Sequence, residues 1–207
     1  MIQNKYSLIA QTFFLNREGE PYKLGPNQQS IFRIVYEPSI ERGAIASYTQ
    51  YGKSEVTALA LIAVAVNRRE KILIVAPSEK QASIIMGYII DHFFDDEDIT
   101  SMLEFDPSSL ERLKKERSKH RLTLRNGSEI FILTAEVKTL SREATSLMGF
   151  GATIVVVDES SLIPDIMFSA FNRWPILFFS YLIYSKPPIL DSVLVDPELD
   201  IHVLRHG

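Results

Sequence analysis

Cysteine is absent from the chain. That excludes a disulfide framework, a thiol nucleophile and thiolate zinc sites together. Histidine is scarce, and its four scattered copies leave little for an imidazole metal centre. Long apolar runs are missing too: the most apolar, Ile176–Tyr184, falls well short of the roughly 20 residues that a membrane-spanning helix needs. The opening MIQNKYSLIAQTFF lacks the basic start, long apolar stretch and small-residue cleavage site of an export signal. A cytoplasmic protein without a membrane partner is the expectation. Positive charge is not in excess either. With 22 Lys+Arg against 26 Asp+Glu and a net charge of −4, any nucleic-acid binding must come from a local patch. What is present in quantity is apolar: 46% of 207 residues, which rules out low-complexity disorder and suffices for a core that holds without staples.

Residues 1–41 read as mixed, with turn punctuation at Pro21, Gly25-Pro26 and Pro38. Gly43–Ser47 is a short apolar run followed by the polar loop Tyr48–Gly52. Lys53–Asn67, rich in Ala and Leu and free of Gly and Pro, predicts a buried helix. Lys71–Pro77 is a continuous β-branched run ended by proline, as in a strand covered on both faces. Ser78 caps a helix running to about Phe94, with Glu79 and Lys80 in its first turn, and the acidic stretch Asp95–Asp98 closes it. Residues 108–120 read as a charged helix. Asn126-Gly127 between Arg121–Arg125 and Glu129–Thr134 predicts a hairpin. Ala152–Val157 is a second buried strand, ending in Asp158-Glu159. This succession implies a three-layer α/β domain with a mainly parallel sheet over residues 1–170. From Phe171 the composition shifts: 171–207 holds four of the ten prolines. It reads as a divergent segment with one further core strand, Ile176–Tyr181, and a tail. There is no internal repeat.

Two motifs carry chemistry. Ser47-Tyr48-Thr49-Gln50-Tyr51-Gly52-Lys53-Ser54 lies between a short strand and a helix, where backbone N–H groups and the helix N-terminus present fixed positive dipoles to phosphate oxygens. Thr49, Gln50, Tyr51 and Gly52 would line the phosphates, Lys53 would reach the β- and γ-phosphates, and the Ser54 hydroxyl would coordinate Mg²⁺. The usual pattern opens with glycine where this chain has Ser47; a helix start with a solvated lysine has the same local form. In the second motif, Ile154–Glu159, two carboxylates end a buried strand, which is costly unless they face a cleft or a cation. Asp158 would hold the Mg²⁺ shell and Glu159 would orient and deprotonate the attacking water. An acidic loop capping a turn is the plainer alternative for that motif taken alone. In this order, about a hundred residues apart, the pair is far more specific than either part and points to a Mg²⁺-dependent ATPase.

Lesser signals surround them. The Gln29 amide can donate to and accept from an adenine edge at once, although a surface glutamine explains it as well. Six of the ten residues in Arg112–Arg121 are basic. Arg112, Lys114, Lys115, Arg117, Lys119 and Arg121 could grip nucleic-acid phosphates without reading bases, or could form a solvated helix face paired by Glu104, Glu111 and Glu116.

The stretches GAIASYTQYGKSE, KILIVAPSEKQASIIMGYII, ERLKKERSKHRLTL and LMGFGATIVVVDESSLIPD resemble the ATPase domain of tailed-phage terminase large subunits over about residues 20–168. The Met148–Ala152 lead and Ser160–Pro164 are the more specific parts. The resemblance implies a P-loop NTPase fold of the additional-strand, RecA-like type. It also implies that Lys53 and Ser54 bind nucleotide, Asp158 binds Mg²⁺, Glu159 is catalytic and Gln29 contacts adenine. The implied activity is ATP hydrolysis driving packaging of double-stranded DNA by a ring homo-oligomer, with portal protein and small terminase subunit as partners, in the host cytoplasm. Three departures stand out. Many relatives carry an arginine in the slot of Thr49, so Arg42, Arg142 or a neighbouring subunit would have to supply an arginine finger. The coupling motif after the additional strand is matched poorly, by Phe178-Phe179-Ser180 only. A nuclease domain would not fit, so no DNA cleavage is expected. Another nucleic-acid-stimulated, helicase-like ATPase, or a non-catalytic nucleotide-binding remnant, is the alternative.

Overall fold

Two runs of β-branched and apolar residues, Ile72–Ala76 and Ile154–Val157, become neighbouring parallel strands because each is buried on both faces and so has no polar face to offer solvent. A computed structural model describes residues 5–40, 42–47, 52–104, 121–135, 151–163, 176–182 and 200–203. In chain order it contains α1 (Lys5–Phe13), α2 (Pro26–Tyr36), β1 (Arg42–Ser47), α3 (Lys53–Asn67), β2 (Lys71–Ala76), α4 (Glu79–His92) and α5 (Glu97–Ser101). There follow β3 (Arg121–Thr123), β4 (Glu129–Thr134), β5 (Ile154–Val157), a single 3₁₀ turn at Ser160–Leu162, β6 (Ile176–Leu182) and β7 (Asp200–Val203).

The strands form one sheet in the order β3-β4-β2-β5-β6-β1-β7. All pairings are parallel except β3 with β4 at one edge. This is the expected α/β class with a mainly parallel sheet. It is also the expected additional-strand arrangement, since β6 lies between β5 and β1. The segment 171–207 gives the sheet two strands rather than one. The second, β7, pairs along Gly43–Ala46 of β1, so a division at residue 170 cuts through a single sheet.

α3 is apolar around nearly its whole circumference, with Val56 to Ala65 almost all below detectable exposure, as a central helix must be. It packs against α2, α4 and β2. The steps β1 to β2 and β2 to β4 run the same way along the sheet, and α4, which packs on both β2 and β4, lies beside α3 on that face. The predicted hairpin is present. Gly127 adopts φ +83° in its turn, and the Asn126 and Ser128 side chains donate to the Ala65 carbonyl, each at 2.8 Å. Carbonyls at the end of α3 thereby find the partners the helix itself cannot supply. The predicted helix over 108–120 lies outside the described residues.

Candidate active site

Parallel strands place their carboxyl ends on one edge, and loops leaving that edge are where α/β sheets bind ligands. Here that edge gathers the residues following β1, β2 and β5. In register, Val157 of β5 and Ala44 of β1 are both level with Phe179 of β6. With one strand between them, the two chains run about 10 Å apart, close enough for a lysine after β1 to approach an acid after β5.

The loop's last glycine opens α3. Gly52 is its N-cap at φ 74°, in the left-handed region that costs an ordinary L-residue ~1–2 kcal/mol. A Cβ there would also lie 3.0 Å from Nε2 of Gln28. Lys53, the first residue of α3, is 8% exposed, and Asp158 is 7% exposed. Burial pulls the Lys53 ammonium below the ordinary lysine value, while the negative charges of Asp158 and Glu159 oppose that fall. Thus the structure brings Lys53, Asp158 and Glu159 together although they are distant in sequence. Ser54 is half-buried in the first turn of α3. Thr49, Gln50 and Tyr51 lie outside the described residues.

Glu159 is the one non-glycine with positive φ among the described residues, at 46°, a conformation worth ~1–3 kcal/mol of strain. Burial raises its carboxyl above the usual range, the neighbouring Asp158 adds to the rise, and Lys53 counters it. Gln81 of α4 donates from Nε2 to Oε2 of Glu159. Sequence reasoning missed Gln81; the signal available was its place three residues after the capping Ser78.

Among the described residues no group of three or more His, Cys, Asp or Glu is placed to cage a metal. What the site offers is a hydroxyl and a carboxylate, Ser54 and Asp158. Those hard oxygen donors suit Mg²⁺, which keeps several waters and completes its shell on phosphate oxygens.

Near the start of α3 lies an open cleft of about 260 Å³ whose lining includes Arg17, Tyr22, Gln28 and Glu55. Gln28 accepts from the Gly25 N–H through Oε1 at 2.9 Å and turns Nε2 toward Gly52. The expected adenine contact, Gln29, instead donates its amide to the Leu24 carbonyl at 3.0 Å and is not in that lining. Behind the cleft, His92 pairs with Asp95 and lies 3.6 Å from Glu55. Burial works against its charge, but the hydrogen bonds that the imidazole donates to Asp95 and Glu55 outweigh it and lift its value to about 9. The same contact with His92 holds Glu55 below the usual carboxylate range against the opposing effect of burial.

The arginine and DNA-contact expectations fare differently. Arg42 begins β1, five residues and ~16 Å of strand before the end that faces the site. Arg142 lies outside the described residues, as do Arg112, Lys114, Lys115, Arg117 and Lys119. Arg121 is exposed and pairs with Glu129 across the hairpin at 2.6 Å.

Residues 50–184 match the family described as RNA cytidine acetyltransferase NAT10/TcmA, helicase domain. The chain belongs to this helicase-domain family. Among curated proteins, none matches the sequence closely enough to count as a relative. Among solved structures the fold is similar to that of the bacteriophage HK97 large terminase (TM-score 0.73, 19% identity, 98% of this chain and 43% of that one). It is similar also to the large terminase ATPase domain of Thermus phage P74-26 (0.63, 18%, 90% and 82%) and to the UvsW helicase of bacteriophage T4 (0.63, 13%, 99% and 69%). The chain spans less than half the length of the HK97 protein. At these identities the likeness establishes the fold alone: an α/β fold shared with these terminase and helicase structures, as the terminase resemblance implied. Among the described residues no helix is long and apolar enough to cross a membrane.

Proposed function

We propose that the chain is a Mg²⁺-dependent ATP hydrolase whose turnover drives movement on a nucleic acid. One observation carries this: a buried lysine at the start of α3 shares its field with two carboxylates that end a buried strand. An ammonium, a helix N-terminus and a pair of acids around one cleft form a charge pattern suited to a triphosphate and a divalent cation. Lys53 and the α3 N–H groups bind and orient the β- and γ-phosphates. Ser54 and Asp158 would hold the Mg²⁺, which would neutralise phosphate charge. Glu159, whose carboxyl is shifted toward neutral pH, aligns the water and takes its proton. The base and ribose occupy the cleft beside Gly52, with Gln28 and Tyr22 at hand. Catalysis of this kind comes from positioning and electrostatics rather than from a covalent intermediate.

Two nucleic-acid partners are supported by different observations. The fold likeness to HK97 large terminase across 98% of the chain favours translocation of double-stranded DNA, and with it a ring homo-oligomer, portal protein, small terminase subunit and a cytoplasmic setting. The family match over 50–184 favours an RNA-directed helicase-type domain. Phosphate release measured with no polymer, with duplex DNA and with structured RNA separates them. Lys53→Ala is expected to abolish nucleotide binding, and Glu159→Gln to retain binding while lowering turnover ~10²–10⁴-fold. Equal nucleotide affinity in wild type and Lys53→Ala overturns the assignment.

A further inference from the structure

The side-chain amide of Gln81 is held at both ends. Its Nε2 donates to Glu159, and its Oε1 accepts from the Ser78 hydroxyl at 2.9 Å. A Ser-x-x-Gln helix start ordinarily closes a capping box, in which the glutamine turns back onto the N-cap backbone. Half of the box is present: Ser78 Oγ accepts from the Gln81 N–H at 3.4 Å. The amide, however, is directed to a carboxylate 78 positions further along the chain. Ser78 also settles which way the amide faces. With the hydroxyl donating to Oε1, the NH₂ must point at Glu159; the flipped amide would set two acceptors against each other. A local rule is given up where the partner is an acid in a strained backbone conformation, and departures from local rules concentrate at functional sites.

We infer that Gln81 is a positioning residue for Glu159, with Ser78 fixing the amide and the amide holding the carboxylate in the rotamer from which it addresses water. The inference rests on the role given above to Glu159. Among the described residues no second side-chain hydrogen bond restrains that carboxylate, and small errors in placing a catalytic group are costly in rate.

Gln81→Leu keeps the bulk of the side chain and removes both hydrogen-bonding ends. The expected result is a turnover number at least ten-fold lower, with affinity for ADP and ATPγS within two-fold of wild type. In a Glu159→Gln background the same change should slow turnover no further. Wild-type turnover in Gln81→Leu overturns the inference. So does a parallel loss of affinity, turnover and melting temperature, since that pattern marks a helix cap alone. A second readout needs no turnover. The Gln81 side-chain amide protons in a ¹H–¹⁵N spectrum should lie downfield and move on Glu159→Ala; an unmoved signal overturns the inference. Should Lys53→Ala bind nucleotide like wild type, the ATPase proposal falls, and the amide signal still decides the Gln81–Glu159 contact.

Discussion

The backbone N–H of Asp158 donates to the Val75 carbonyl at 2.8 Å, one residue past the last β2–β5 register pair, Val75 and Val157. The ladder therefore continues just far enough to hold Asp158 in line with the sheet. Glu159 then breaks away at positive φ into the 3₁₀ turn. The first acid is fixed by the backbone, while the second is free to be aimed by side chains. That division matches the separate tasks proposed for them.

Gly52 should tolerate no Cβ. In Gly52→Ala the neighbouring Gln28 amide can move aside, so backbone strain of ~1–2 kcal/mol dominates. A melting temperature lower by a few degrees, together with weaker nucleotide binding, is expected. Asn, which enters the left-handed region more readily, should do less harm. Calorimetry on the two variants checks the order.

The two adjacent glutamines should behave differently. Gln28 lines the cleft and touches the Gly52 region, whereas Gln29 is committed to the Leu24 carbonyl. Gln28→Ala is expected to weaken ATP binding several-fold and Gln29→Ala to leave it within two-fold, as measured by titration calorimetry. The reverse order would make Gln29 the base contact.

His92 should make stability fall as pH rises. Its folded value is about 9 against an ordinary 6.5. The contribution of its hydrogen-bonded charge is therefore fully present below about pH 6.5 and is lost as pH rises through 9; the shift corresponds to about 3 kcal/mol. Glu55 has the opposite sign: its value is depressed, so its contribution is lost as pH falls through the folded value. Melting temperatures of wild type and His92→Gln between pH 6 and 10 should converge toward the alkaline end. A constant gap across that range would mean the histidine contributes by packing alone.

The central elements were legible because burial leaves a plain signature. Lys53–Asn67 and Lys71–Ala76 carry unbroken apolar runs bounded by Gly52 and Pro77, and both appear with those bounds. The acid pair was legible for the same reason, since a charge after ATIVVV must have somewhere to go. Other features were ambiguous locally. Gly25-Pro26 looks like a turn, yet proline suits the first position of a helix, and it opens α2. The acids after Phe94 looked like a stop, but Asp96 accepts from the Asp98 and Ile99 N–H groups and starts α5. Residues 200–203 are only four long at an edge, too short for a period to show. Gln81 escaped because a helix-start glutamine has a sufficient local explanation, and the partner that changes its meaning comes from another strand.

The strand that separates the lysine-bearing loop from the acids is contributed by residues 176–182, after both have been made. During synthesis the ribosome delivers every charged group of the centre before it delivers the spacer that sets their mutual distance. A nascent or proteolysed chain ending ahead of residue 176 would carry all the reactive groups with no fixed gauge between them. Competence for turnover should thus arrive abruptly with the insertion of that strand, rather than grow as the chain lengthens.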